Sequence, residues 1–514
     1  MSLLELSQRP AGDSTPGLTA TRHLAILDEL RAPYGRSDAG SADGQWAALS
    51  GPDPRRALLW FTGPGGELAA GWSLGSMRIW GHVASEADMT ALMDSLEGQW
   101  DREAPVVDPA GAVRSWVWRS PRGGTILPFD PDEVVANLRT ERYLRFEQRR
   151  VGSRRARARR TYYAIRPLLP RTVQIALRRG YSRVQARSTF PRWPVEPTLH
   201  DLTELVLQRA ADAAAEPLPY LASWPRGHSW ALVLTHDVET GVGRDAIETV
   251  RAVEESAGYR SAWNLVPERY AVPDRVVEHL QAVGCEVGVH GLRHDGRDLE
   301  SLDTRLPAMQ QWGRRWGAVG FRSPATHRAW DLMPQLGFAY DSSYPDTDPY
   351  EPMPGGCCSW LPFFNRGMVE LPVTMTQDHT VFVILRRDDS LWREKVEFLR
   401  ARGGMALVLV HPDYVLEGDR LDAYARLLDA FRDDPEMWTP LPREVADWWR
   451  RRAATSLRLL DGAWRPVGPG ADEVAVAFAH PATTTGVVAG SSTNERGEET
   501  HLHLADGPGR IECV

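Results

Sequence analysis

The chain has 514 residues, too many for one ordinary domain and enough for two or three. With 42% hydrophobic and 25% charged residues it has a globular composition, which excludes collagen, a pure coiled coil and a fully disordered chain. A net charge of −8 argues against a surface devoted to nucleic acid, and no specific nucleic-acid partner is expected. Lys395 is the sole lysine, so arginine abundance reflects a compositional bias and says nothing by itself about partners. The 20 tryptophans are read mainly as core and rim residues. Cys285, Cys357, Cys358 and Cys513 offer no C-x-x-C pair for a structural zinc, and a reducing compartment is the simpler reading. The N-terminus lacks a basic start followed by an apolar core, and no apolar run approaches the length of a membrane span. The expected location is cytoplasmic, with peripheral contact at the inner face of the membrane left open.

Residues 1–45 are rich in Pro, Gly, Ser and Asp and are expected to be loosely ordered. Residues 46–138 read as a small α/β domain, with strand-like pieces at 57–61 and 115–118 and a helical stretch at 86–100. No catalytic constellation stands out there. Residues 139–200 form an Arg-rich linker with interleaved apolar residues, from Tyr162 and Tyr163 to Val173, Ile175 and Leu177. The favoured reading is a pair of helices with solvated arginines; the alternative is contact with anionic lipid, a polyanionic glycan or nucleic acid. The Pro-rich stretch 190–197 marks a boundary.

Residues 201–455 read as one domain, and from about 229 to 451 short apolar runs alternate with helical stretches. Strands are expected at 231–235, 261–266, 286–289, 318–321, 338–340, 369–373 and 406–410. Helices are expected at 244–257, 273–283, 299–316, 329–336, 390–402 and 420–431. Such alternation implies a parallel sheet, and seven such strands can close into a barrel whose chemistry gathers at the C-terminal strand ends. The fold class is therefore α/β: a distorted seven-stranded (β/α) barrel, a small N-terminal α/β domain and a short C-terminal β-rich extension. That extension, 456–514, is Gly- and Thr-rich, with one strand expected at 473–478; His480, His501 and His503 lack metal-ligand spacing.

Polar residues do gather after the strands. Thr235-His236-Asp237-Val238-Glu239 follows the first, His290-Gly291-Leu292-Arg293-His294 the third and Arg322-Ser323-Pro324 the fourth. Asp341-Ser342-Ser343-Tyr344 follows the fifth and His411-Pro412-Asp413 the last. Imidazoles four residues apart can face one point on a helical turn, so His290 and His294 can share a metal. A carboxylate from the first strand end completes a two-His-one-carboxylate set with open positions. A second carboxylate would take a proton from water, and a His on the far side would protonate the leaving group. An Arg can keep the base ionised, and an Asp can orient the acid His.

In this order the segments resemble the five motifs of the polysaccharide deacetylase family, the NodB-homology domain of carbohydrate esterase family 4, across roughly 229–415. The resemblance implies a hydrolase that removes acetyl groups from an acetylated carbohydrate using a divalent metal, usually Zn2+. It implies Asp237 as base, Arg322 as partner of the base, His411 as general acid, Asp341 as partner of the acid, and His290 and His294 as metal ligands. The first motif here is Asp-x-Glu, which makes Glu239 the third ligand; if Asp237 binds the ion instead, the two roles exchange. Ala325 stands where the family has an aromatic, and its backbone N–H is expected at the oxyanion. Tyr344 stands near the place of a usual Trp and is expected at the substrate. Asp378, with His379, is read either as a substrate or supporting contact or as a turn pair. His236 is read as packed, and Cys285 as buried. Hydrolysis of an O-acetyl ester or a non-sugar amide, and an inactive glycan-binding or scaffolding barrel, are the competing readings.

Overall fold

The computed structural model describes residues 17–37, 45–63, 67–68, 71–145, 170–295, 297 and 301–482. The arginines at 149–160, residues 1–16, and Cys513, His501 and His503 lie outside them, and the N-terminus expected to be loose up to 45 carries strand Thr19–Ala20, helix Ala25–Leu30 and strand Gly35–Arg36. The chain divides into two compact units. The described residues of Pro10–Leu138, Pro197–Ala222 and Thr455–Val514 form one, and those of Arg139–Glu196 and Ser223–Ala454 form the other. The chain passes between the units at 138/139, 196/197, 222/223 and 454/455, so that segments on either side of the second unit's sheet group with the N-terminal one. Helix Thr198–Ala214 and strand Val474–Ala479 belong with the N-terminal sheet rather than with the sheet between them in sequence. A buried carboxylate fixes that helix in its unit: Asp212 accepts from Arg119 at 2.5 Å and from Arg209 at 3.3 Å.

The first unit carries a nine-stranded, mainly antiparallel sheet. Helix Glu86–Ser95 starts at a capping box, Ser85 with Asp88. After it, strands Ser456–Leu460 and Ala463–Val467 form a hairpin whose two-residue turn, Asp461-Gly462, has both φ positive, the geometry that matches strand twist.

The second unit is an α/β assembly. Seven strands run parallel: β1 Trp230–Val238, β2 Ser261–Leu265, β3 Glu286–Val289, β4 Gly320–Phe321, β5 Tyr340–Asp341, β6 Met368–Glu370 and β7 Met405–Val410. Their order across the sheet is β6-β5-β4-β3-β2-β1-β7, with antiparallel Phe363–Asn365 beyond β6 and short Met437–Trp438 also on β1. β1 and β7 are buried along their whole length, which explains their nearly unbroken apolar runs: a parallel strand covered on both faces has no polar side to show. The ladder leaves β6 and β7 unpaired with each other. The chain just after β6 nevertheless runs beside β7, where Met375 N–H donates to Leu407 O (3.1 Å) and Thr374 Oγ1 donates to Met405 O (2.7 Å).

Helices Gly241–Ser256, Asp274–Ala282, Leu302–Trp316, Ser390–Ala401 and Arg420–Phe431 separate the strands. They bury Ile247, Val250, Leu280, Met309, Val396 and Leu427 against a core that includes Trp230, Trp263 and Trp360. The helix expected at 329–336 is only a 3-10 turn, Met333–Leu336; Pro334, which has no N–H to give, sits in its first turn.

Candidate active site at the strand ends

β1 and its extension supply two carboxylates with different partners. Asp237 Oδ1 accepts from Asn264 Nδ2 at 2.9 Å and from Arg322 Nη1 at 3.3 Å. Asn264 is the register partner of Asp237 on β2, and it fits only because residue 288 on β3 is Gly: a Cβ there would lie 2.1 Å from Asn264 Oδ1. Arg322 is itself pinned, donating to Ser342 O (2.7 Å), Ser342 Oγ (2.8 Å) and Thr235 Oγ1 (2.9 Å). Burial opposes the charge on Asp237, but His290, Arg322 and His411 outweigh it and hold the carboxyl below its usual range. Because burial pushes His290 down to about 4, Arg322 is the permanent cation beside Asp237.

Glu239 faces the histidines. Its Oε1 lies 3.0 Å from His294 Nε2, and its Oε2 accepts from the Tyr414 hydroxyl at 2.8 Å. Its backbone N–H donates to Asp413 Oδ2 (2.9 Å), and Gly243 leaves the room Asp413 needs. Burial raises the Glu239 carboxyl, yet the neighbouring His294 holds it well below the usual range.

His290 and His294 come together on a loop, not on the helical turn that their spacing suggests. Gly291 (φ 61°) and His294 (φ 52°) both take left-handed backbone, which folds the segment back and sets the ring centroids 5.2 Å apart. His290 Nδ1 lies 3.0 Å from the Arg322 carbonyl and must donate to it, so Nε2 of the neutral ring carries the lone pair. His290 Nε2 is buried without a hydrogen-bond partner, whereas His294 Nε2 is the atom that faces Glu239. Together with Glu239 they place three ligand atoms within 4.8 Å of one another. One buried, unsatisfied imidazole nitrogen grouped with a second imidazole and a carboxylate is the donor set of a divalent cation, so these residues fit a divalent metal.

The last histidine has a partner other than the expected one. His411 Nδ1 donates to Asp378 Oδ1 at 2.7 Å, and His411 backbone N–H donates to Asp378 Oδ2 at 3.0 Å. Burial lowers the imidazole, but Asp378, Glu239 and Asp237 more than reverse this and push it up to about 10. The Asp341 assignment is corrected accordingly. Asp341 faces Glu370, its register partner on β6, and accepts from Ser343 Oγ at 2.6 Å. Glu370 accepts from the N–H groups of Ser343 and Tyr344. Burial raises Asp341 to about 6, and burial together with the neighbouring Asp341 raises Glu370 well above the usual carboxylate range, so the two carboxyls share a proton.

Ala325 (φ 54°) and Thr326 (φ 50°) make a left-handed turn directly after Arg322-Ser323-Pro324, a strained placement for residues with a Cβ. Tyr344 is not available to stack on a substrate: it is 2% exposed, packed against Trp330 with the Arg328 guanidinium over its ring. His236 is likewise committed, with Nε2 2.6 Å from Glu254, Nδ1 3.0 Å from Val410 O, and its ring stacked on Trp263. Sequence reasoning missed Asn264, Asp413 and Tyr414. Asn264 carried a signal, as a lone polar residue between Trp263 and Leu265 on a buried strand.

No family model and no curated protein sequence matches the chain. Among solved structures it is similar to a Mycobacterium smegmatis protein assigned to the polysaccharide deacetylases, at 18% identity over 47% of this chain and 96% of that one (TM-score 0.38). It is similar to Puue allantoinase at 14% identity, over 45% and 93% of the two chains (TM-score 0.35). The peptidoglycan deacetylase PdaC from Bacillus subtilis aligns at 12% identity over 44% and 94% (TM-score 0.31). Among the described residues no helix is long and apolar enough to cross a membrane.

Proposed function

We propose that the sheet of Ser223–Ala454 is a distorted deacetylase-type barrel, and that the protein is a metal-dependent hydrolase removing acetyl groups from an N-acetylated sugar or glycan precursor. The observation that carries this reading is the paired but separate fixing of two proton-transfer groups around one ligand cluster. Asp237 is held by Asn264 and Arg322, and His411 by Asp378, while Glu239, His290 and His294 converge beside Asp237, with His290 Nε2 buried and unsatisfied. A divalent ion, in this reading Zn2+, held by Glu239, His290 and His294 supplies Lewis-acid polarisation of the acetyl carbonyl.

The chain's own residues do the rest. Asp237, ionised at neutral pH, accepts a proton from the attacking water. The Ala325 turn offers its backbone N–H to the carbonyl oxygen as negative charge builds there. His411 keeps its Nδ1–H on Asp378 and delivers the Nε2 proton to the departing amine. That last step favours amides, because an amide nitrogen leaves poorly unless protonated. A cytoplasmic location is part of the proposal, and the buried free thiols of Cys285, Cys357 and Cys358 are compatible with a reducing compartment.

The test is metal content of the purified protein together with acetate release from chitin oligomers and peptidoglycan fragments. One bound divalent ion and chelator-sensitive acetate release are expected. Release only from activated acetate esters would replace this reading with the esterase one. No turnover and no metal would leave a binding protein.

A further inference from the structure

Helix Arg171–Gln185 packs against the segment His379–Leu385, which begins directly after Asp378. Two arginines on its inner face bond the protein, one of them to that segment. Arg179 Nε donates to Val383 O at 2.8 Å, and Arg178 Nη2 donates to Tyr350 O at 3.1 Å. The opposite face is therefore the one in water, and it is apolar. Val173 is 40% exposed, Leu177 47%, Tyr181 49% and Val184 38%. Their spacing of four, four and three residues makes a single stripe down the helix, with exposed Ala176 and Gly180 filling it. This reverses the arrangement expected of a solvated linker helix, whose arginines would face water and whose apolar residues would face protein.

Charge decides among possible occupants of the stripe. The helix carries four arginines and no acidic residue, and exposed Arg183 and Arg187 flank its C-terminal half. The preceding sequence 149–160 adds seven arginines and again no acid. A second copy of so basic a face would be repelled, whereas a surface that is apolar inside and anionic at its rim meets both the stripe and its border. We propose that the outward face of helix Arg171–Gln185 docks the protein on an anionic lipid bilayer. Leu177 and Tyr181 enter the acyl boundary, and Arg183 and Arg187 stay at the headgroups. Tyrosine suits that depth, with an apolar ring and a polar tip. This docking is independent of the reaction catalysed.

The test uses the full-length protein in co-sedimentation with phosphatidylcholine vesicles, with and without about one third phosphatidylserine. Binding is expected only with phosphatidylserine, and it should collapse as salt rises from about 0.1 M to about 1 M and the screening length shrinks from about 10 Å to about 3 Å. Leu177→Glu with Tyr181→Glu should lower partitioning by about tenfold or more, the loss expected when buried apolar side chains are replaced by repelled charges. Arg183→Glu with Arg187→Glu should lower it by a comparable factor of about ten. These side chains are exposed, so melting temperature should not change; the milder Leu177→Gln provides a second reading should the double variant misfold. Equal binding to neutral vesicles, no vesicle binding by the wild type, or a dimer in light scattering that depends on Leu177 and Tyr181 would each overturn the proposal.

Discussion

Replacing Asp378 with Asn tests the proposed acid most directly. Asp378 makes two contacts with His411, at 2.7 Å to Nδ1 and 3.0 Å to the backbone N–H. It is also the main group that lifts the imidazole against burial, from an ordinary value of 6.5 to about 10. Asn removes the charge, and its amide, if turned toward Nδ1, selects the wrong tautomer. Burial then dominates and His411 falls to its ordinary value or below. At pH near 8 the protonated fraction drops from nearly all to about 3%, so amide turnover should fall by about 30-fold or more. The assay is kcat for acetate release from an N-acetylated oligomer across pH 5 to about 10, with metal content checked in parallel. In the wild type the alkaline limb should lie well above that of the variant; a bound dication lowers both limbs without exchanging their order. Stability should follow the same linkage. A raised imidazole contributes stability fully below about 6.5 and loses it as pH climbs toward 10, so the wild-type advantage over the variant should shrink across that window. Asp341→Asn should leave the alkaline limb where it is. If Asp341→Asn moves the limb and Asp378→Asn does not, the assignment made from geometry is wrong.

Asp237→Asn should retain the metal and lose about 10²–10⁴-fold in kcat, whereas Glu239→Ala should lose the metal itself; elemental analysis beside turnover separates the two roles, and the opposite pattern would exchange them. Gly288→Ala drives a Cβ to 2.1 Å from Asn264 Oδ1, so Asn264 must release Asp237 or the strands must part. Its kcat should fall about tenfold and its stability by about 1–3 kcal/mol, with the metal retained; wild-type kinetics would show that Asn264 does not matter to the base. Lys395, the sole lysine, is buried against Asp346 at 2.8 Å. Lys395→Met strands that carboxylate and should cost about 3–5 kcal/mol in urea unfolding at pH near 8. The loss should be smaller at pH near 5, because burial already pushes Asp346 up to about 6 and protonation relieves it; equal losses at both pH values would refute the ion-pair account.

What the sequence revealed, and what it did not, follows from which features are local. β1 and β7 were legible because strands buried on both faces write long apolar runs, and their ends pointed to Asp237, Glu239 and His411. β4 and β5 are two residues each, too short to set their own limits. The spacing of His290 and His294 was legible, but not the left-handed loop that joins them, since His294 gives no sign of a positive φ in the way Gly291 does. The partner of His411 is the instructive case. Asp341 and Asp378 both follow strands, so position after a strand could not choose between them. Sheet order could. β5 lies between β4 and β6, so a side chain at the end of β5 meets β6, and Asp341 stands in register with Glu370. β7 lies beside β1, and its other flank is reached by the chain leaving β6, where Met375 bonds Leu407. A carboxylate that serves His411 from that flank arrives on the departing chain, three residues beyond Met375, which is where Asp378 stands.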